Sequence, residues 1–504
     1  MSGVVATVRG VALVGLDARE VRVEASVSAG IPAVRLVGLP DAAVREAADR
    51  VRTGVSRSDL KWPQERLVIN LAPADLPKVG ASFDLPMGLA VLAATGQVPP
   101  AALEDVWALG EVGLDGSVRA TTGTLPLAAG ARRLGARRLL VPDAAAREAA
   151  LVEDLEVVPV RDLREVVALL TGEARPRDAV APALTDGTNP PDLADVRGQA
   201  LARRAVELSA AGGHHLLMSG PPGCGKTMLA HRLHGLLPPL ELSDGLEVAA
   251  IQSLAGERTP DAPLSLVPPM REPHHSISTA GLVGGGSGIP GPGELTLAHH
   301  GVLVLDELLE APRHVLDALR QPLERGSVVL TRSRARVRYP CRILLVAATN
   351  PCPCGDLGNP QRPCTCRPDR IERYRSRLSG PLLDRIELQV EVTPVERHQL
   401  VGPREGESTA TVAARVAAAR EIAAARWECH NAEAPTEQVR VTCSTRAIDA
   451  LTRSLEAVGA SARAFGRSLR VARTIADLDG AESIVPAHVE EAVAYRLATM
   501  AAPA

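Results

Sequence analysis

Apolar and polar positions alternate with period two in several short runs near the start of the chain, "VVATVRGVALVGL", "VRVEASV", "ERLVINLAP" and "RLLVP". Ala-rich stretches with helical spacing lie between them, so the pattern predicts an α/β domain over residues 1–172. Residues 173–192, "EARPRDAVAPALTDGTNPPD", lose all periodicity and are rich in Pro, Asp and Thr, as in a linker. Strand and helix patterns resume over 193–396 and predict a second α/β domain. Across 397–504 the spacing turns helical. There "ATVAARVAAAREIAAARWE", "STRAIDALTRSLEAV", "SARAFGRSLRVARTIADLDG" and "PAHVEEAVAYRLATM" predict four amphipathic helices.

Composition narrows the picture. A chain of 504 residues is too long for one core, which agrees with several domains. It is 46% apolar and 23% charged, with no apolar run of eighteen residues, which excludes a membrane-spanning helix. The first residues read as strands and not as a signal peptide, so a cytoplasmic protein is expected. Aromatics make up only 2%, leaving few platforms for base stacking. With a net charge of −3, any nucleic-acid partner must be met by a local basic surface.

The strongest chemical signal is "HLLMSGPPGCGKTMLAHRL". An apolar strand over 215–218 runs into Gly220, Pro221, Pro222, Gly223, Cys224, Gly225, Lys226 and Thr227, and a helix follows. Glycines let backbone N–H groups turn inward around phosphates, and the helix start adds its positive end. Lys226 is expected on the β- and γ-phosphates of ATP and Thr227 on Mg²⁺. A second strand, "GVLVLDELLEAP", ends in Asp306, suited to the magnesium shell, and Glu307, suited to activating water. A third, "RILLVAATN", ends in Asn350, whose amide suits the same water or the γ-phosphate. "GPLLDRIEL" sets Arg385 where it can reach a neighbouring subunit's γ-phosphate, and "SARAFGRSLRV" sets Arg463 at a helix start, able to reach back over the nucleotide.

These residues, in this order, resemble the AAA+ superfamily and, more narrowly, its magnesium-chelatase-like ComM/YifB group. "REPHHSISTAGLVGGGSGIPGPGELTLAHHGVLVLDELLE", "AATNPCPCG" and "LSGPLLDRIEL" carry the likeness, which covers essentially the whole chain. The resemblance implies an AAA+ core with a carboxy-terminal helical lid, and Walker B and first-sensor roles for Asp306, Glu307 and Asn350. Arg385 becomes the arginine finger and Arg463 the second sensor. It further implies a ring, hexameric in the family, that binds ATP between subunits and moves or unwinds branched or single-stranded DNA during transformation and recombination.

Spacing adds its own support, because Lys226 and Asp306 lie eighty positions apart, more than one helix–strand crossover needs. The surplus centres on 268–293, a Gly/Pro-rich loop that fits the group's pore-directed insertion. His274 and His275 within it are weak metal candidates, since adjacent histidines do not easily point the same way. "GSVVLTRSRARVRYP" predicts a hairpin on which Arg332, Arg334 and Arg336 share one face and track DNA phosphates.

Half of the eight cysteines fall within one stretch, as Cys352, Cys354, Cys364 and Cys366. Two Cys-x-Cys pairs joined by a Gly/Pro-rich loop suit one tetrahedral, structural Zn²⁺; a reduced or redox-active thiol cluster is the other reading. The arginines that follow, Arg367, Arg370, Arg373, Arg375 and Arg377, either contact DNA or pair with acids across an interface. Cys224, Cys341, Cys429 and Cys443 read as small core fillers.

The stretches "LPKVGASFDLPMGLAVLAATGQVP" and "ALGEVGLDGSVRATTGTLPLAAGARRLGARRLLVP" resemble the Lon protease domain. Ser82 stands in the nucleophile's stretch, but Leu125 occupies the place of the dyad lysine, and Arg132 and Arg133 cannot lose a proton near neutral pH. A Lon-protease-like α/β domain without proteolysis is expected, with Lys78 and Ser82 structural. An ATP-driven DNA motor is therefore the expected function; an ATP-driven remodeller of a protein partner, of the chelatase type, is the alternative.

Overall fold

Alternation along the first runs becomes one-sided burial: Ala6 and Val8 are buried while Val5, Thr7 and Arg9 face outward. In the computed structural model these runs form a mixed seven-stranded sheet. Its order is Ala33–Val37, Arg66–Ala72, Asp17–Ser28, Val5–Val14, Val106–Ala108, Arg138–Pro142 and Glu156–Val160. The structure describes every residue except 1–4, 188–189, 287, 333–334, 360–361, 397–398, 400–405, 458–461 and 498–504. An amphipathic helix, Ala42–Arg57, and an apolar one, Asp84–Ala94, cover one face, where Val51, Leu89 and Ile69 share a core.

A second sheet is wholly parallel, in the order Met270–Arg271, Val302–Leu305, Leu344–Thr349, Leu216–Ser219 and Leu388–Glu391. Its central strands are continuous apolar runs, as expected of strands covered on both faces. The strands predicted to lead into the phosphate loop, Asp306–Glu307 and Asn350 all end at the carboxyl edge of this sheet. The carboxy-terminal helices share the core of this sheet, with Val416, Leu469 and Val489 packed in one cluster with Leu216, Val304 and Val346. They are Thr409–Trp427, Thr436–Val441, Thr445–Glu456, Ala462–Leu478 and Pro486–Leu497. The short second helix is the one that periodicity did not predict, because six residues are too few to display a helical stripe.

The stretch expected as a plain linker is partly tied down: Leu184–Thr185 pairs in parallel with Leu264–Ser265. Contacts also join the first sheet's layer to the second. The N–H of Gly123 donates to Ser253 O at 3.0 Å, and Leu125 packs with Leu151, Ala249 and Leu264. Leu125 is thus buried against a neighbouring helix, Leu242–Ala255. Lys78 is fully buried and donates to Pro73 O, and burial lowers its pKa, in keeping with a structural part.

Candidate nucleotide and thiol sites

The Leu216–Ser219 strand stops where the backbone must turn sharply. Gly220 lies so close to Val392 O that a Cβ there would approach to 2.1 Å, and Gly223 and Gly225 hold left-handed φ of +78° and +96°. Only glycine accepts this course without strain. Helix Lys226–His234 starts at once. Lys226 is buried, and its Nζ donates to Gly220 O at 2.7 Å, Pro221 O at 2.9 Å and Asn350 Oδ1 at 3.2 Å. Burial lowers its pKa, a cost that a bound anion beside the amine would offset.

Thr227 Oγ1 donates to Asp306 Oδ2 at 2.7 Å, and Asp306 Oδ1 accepts from the Glu307 N–H at 2.8 Å. A hydroxyl and a carboxylate are hard oxygen donors, so this pair fits a magnesium ion. Glu307 sits in the left-handed region at φ +50°. Its Oε2 lies 2.9 Å from Nδ1 of His275, which belongs to the Gly/Pro-rich insertion. From sequence alone His275 is only a weak metal candidate. The contact with Glu307 spans thirty-two positions, and no local pattern announces it.

A cavity of about 570 Å³ opens over the phosphate loop, between Gly223, Cys224 and Gly225 on one side and Val196, Arg197 and Gln199 on another. Cys224 is therefore a cavity-lining residue, its thiol pKa raised by burial. Arg385 and Arg463 do not line this cavity. They share a second one, of about 600 Å³, with Arg325, Arg342, Arg467 and Arg470. Arg463, in the first turn of the helix Ala462–Leu478, lies beside Arg385 on this second cavity. Glu324, Glu387 and Glu433 also line this cavity, so arginines outnumber acids there. Arg385 Nη2 meets Glu324 Oε2. Arg467 and Arg470 went unremarked in the sequence, although 463, 467 and 470 follow helical spacing and lie on one face.

The hairpin joins Ser327–Thr331 to Arg336–Pro340, with Thr331 opposite Arg336. Arg336 and Arg338 alternate with buried Val337 and Tyr339 and face outward. Arg332 lies in the turn, its N–H bonded to Ala335 O, and Arg334 lies outside the described residues. On the second strand the exposed basic pair is Arg336 with Arg338, and Arg332 is exposed at the turn. Strand register sets this pair, because the second strand begins at 336.

Cys352, Cys354, Cys364 and Cys366 come together, all four sulfurs lying within 4.8 Å of one another. Of the arginines that follow, Arg375 donates to Pro351 O and Arg377 to Leu309 O, both inside the same chain. Glu247, His299 and His300 form a second cluster. There Nδ1 of His299 accepts from the Arg342 N–H, which assigns the ring's own N–H to Nε2, facing Glu247, and removes that nitrogen as a metal ligand.

A five-stranded parallel sheet with this phosphate loop, acid-tipped strand and flanking insertion defines the chain as an AAA+ type P-loop protein. Family models agree over most of its length. "Magnesium chelatase, subunit ChlI" matches residues 192–400, "Subunit ChlI of Mg-chelatase" matches 23–145, and "Magnesium chelatase, subunit ChlI C-terminal" matches 406–496. The uncharacterized protein YifB of Escherichia coli is 44% identical over 96% of both chains. The competence protein ComM of Haemophilus influenzae is 41% identical, again over 96% of both. An uncharacterized protein of Mycobacterium tuberculosis is 45% identical over 96% of this chain and 97% of its own. The chain belongs to the ComM/YifB family of magnesium-chelatase-like AAA+ ATPases.

Proposed function

We propose that this protein is an ATP-hydrolysing ring motor that acts on branched or single-stranded DNA, in transformation or recombination. One observation carries the reading: the nucleotide chemistry is divided between two separate cavities, the phosphate loop in one and Arg385 with Arg463 in the other. Neither half is complete alone, and stacking subunits head to tail brings the second half of one against the first half of the next. A closed ring, a hexamer by family likeness, follows from such heterologous contacts.

Within each site, Lys226 and the loop amides bind and orient the phosphates, Thr227 and Asp306 hold magnesium, and Glu307 takes the proton of the attacking water. Asn350, already on Lys226, aligns that water. Magnesium, when bound, neutralises charge that builds on the phosphate oxygens. Arg385 and Arg463 of the neighbour stabilise the same charge. We read 1–172 as a Lon-protease-like module without proteolysis, 173–192 as linker, 193–396 as the ATPase core and 397–504 as the lid. Cys352, Cys354, Cys364 and Cys366 are read as a zinc site. Among the described residues no helix is long and apolar enough to cross a membrane, which agrees with action in the cytoplasm.

The DNA part rests on the exposed Arg336–Arg338 pair and on the relative named a competence protein. The alternative, a remodeller of a protein partner, is favoured by the family's name, that of a magnesium chelatase subunit. ATP turnover with single-stranded, duplex and forked DNA separates them. Several-fold stimulation that disappears in an Arg336→Ala/Arg338→Ala variant supports the DNA motor; turnover indifferent to every DNA rejects it.

A further inference from the structure

The thiol loop does more than follow Asn350. Its sulfurs lie 3.4 Å apart for Cys352 and Cys354, and 3.6 Å for Cys352–Cys364 and for Cys354–Cys364. Ligands at the usual zinc–sulfur length of about 2.3 Å, arranged as a tetrahedron, stand about 3.8 Å from one another. Three of the sulfurs therefore already stand close to tetrathiolate spacing with the fourth within 4.8 Å, and the set contains no oxygen or nitrogen donor that would favour a harder ion.

What the loop builds between its two pairs is a wall. Asp356, Asn359 and Arg362 line the cavity over the phosphate loop, facing Val196 and Gln199 across it. Asp356 and Asn359 are braced on each other, the Asn359 amide donating to Asp356 Oδ1 at 2.9 Å. The loop also rests on the phosphate loop itself. Gly355, at φ +85°, comes so near Pro222 that an added Cβ would lie 2.6 Å from its Cδ. A side chain there would push the wall off the phosphate loop.

We propose that a zinc ion held by Cys352, Cys354, Cys364 and Cys366 closes this loop into a wall of the nucleotide cavity, and that Asp356, Asn359 and Arg362 contact the nucleoside end of bound ATP or ADP. The proposal rests on the nucleotide reading given above. The phosphates belong at Gly223–Thr227, so the groups beyond them are the ribose and base, and Asp356 supplies an acceptor for ribose hydroxyls. Among the described residues no aromatic side chain lines the cavity, so the nucleoside is held by polar contacts and by the fixed shape of the wall. Metal binding and nucleotide binding are then linked: a loop that opens when zinc leaves takes three cavity residues with it.

The test uses the full-length protein. Zinc content is measured by elemental analysis, and binding of ADP and of inorganic tripolyphosphate is measured by calorimetry, before and after metal removal with a chelator. The expected result is one zinc per chain and about tenfold weaker ADP binding without it, with tripolyphosphate nearly unaffected because it needs only the phosphate loop. Asp356→Ala and Arg362→Ala change a half-buried and an exposed residue, neither of which ligates the metal. Each should weaken ADP but not tripolyphosphate, while the zinc stays. A protein that binds ADP yet holds no zinc, or holds zinc whose removal leaves ADP affinity unchanged, overturns the proposal and leaves the nucleotide reading standing. A zinc-loaded protein that binds neither ADP nor tripolyphosphate overturns both.

Discussion

Nδ1 of His275 and Oε2 of Glu307 stand 2.9 Å apart, which joins the inserted loop to the carboxylate beyond the acid-tipped strand. Both side chains are partly exposed, so the pair adds little stability. Its effect is on orientation: a carboxylate occupied by an imidazole is not free to take a proton from water. His275→Ala should therefore raise basal ATP turnover about fivefold while leaving ADP affinity unchanged. Glu307→Gln should lower turnover by at least about 10² with nucleotide still bound. A His275→Ala protein slower than the parent would mean that the histidine positions Glu307 and does not restrain it.

Division of the site between subunits makes a second prediction. Arg385→Ala should lower turnover by about 10³, because the charge of the transferring phosphoryl group loses its counter-charge. Lys226→Ala should abolish binding in its own subunit but keep a working Arg385 for its neighbour. Mixing the two inactive proteins should restore measurable turnover. If the mixture stays inactive although mixed rings form, Arg385 does not act across the interface.

The exposed face of the hairpin sets a salt dependence. Each phosphate contact to single-stranded DNA contributes about −0.7 to the slope of log affinity against log salt. Removing Arg336 and Arg338 together should make that slope shallower by about 1.4, uniformly across sequences. Fluorescence anisotropy at several salt concentrations measures it, and an unchanged slope would take these two residues out of the DNA path.

His214 makes stability depend on pH. It is fully buried, its Nε2 lies 2.8 Å from Thr474 Oγ1, and burial pushes its pKa down to about 3, with positive charge on Arg470 adding to the effect. Thr474 donates to Arg470 O, so the His214 ring is the donor to the hydroxyl. A folded pKa below the ordinary histidine value means that the unfolded chain binds the extra proton. The stability this neutral ring allows is complete above about pH 6.5 and declines as pH falls toward about 3. Between about pH 7 and about pH 5 the loss from this residue is about 2 kcal/mol. Urea unfolding of the parent and of His214→Gln at both pH values checks it: the variant should lose less over that interval.

Much of the nucleotide chemistry was legible in sequence because it is local. Glycine spacing, a lysine at a helix start and acids at a strand end each follow from nearest neighbours, and these residues do meet at one sheet edge. The fold class was legible for the same reason, through period-two and helical patterns. Contacts between distant elements were not. His275 meets Glu307 only after the insertion folds back, and Arg463 lies beside Arg385 because of how the last helices pack. Arg338 was missed because the strand's first residue, which decides its outward face, depends on where the turn ends. Arg467 is a different case: its spacing from Arg463 was visible and was passed over.

The hairpin, the insertion and the amino-terminal sheet meet at one point. The Tyr339 hydroxyl donates to Pro290 O at 2.8 Å, and Gly15, which has no side chain, leaves room for Val337, whose Cγ1 would lie 2.3 Å from an added Cβ. Inheritance of these three parts is consequently joint. A chimera that takes the hairpin alone from a relative with a different partner for Tyr339, or a bulkier residue at 15, imports a mismatch at a distance, whereas exchanging all three as a block keeps the seam intact.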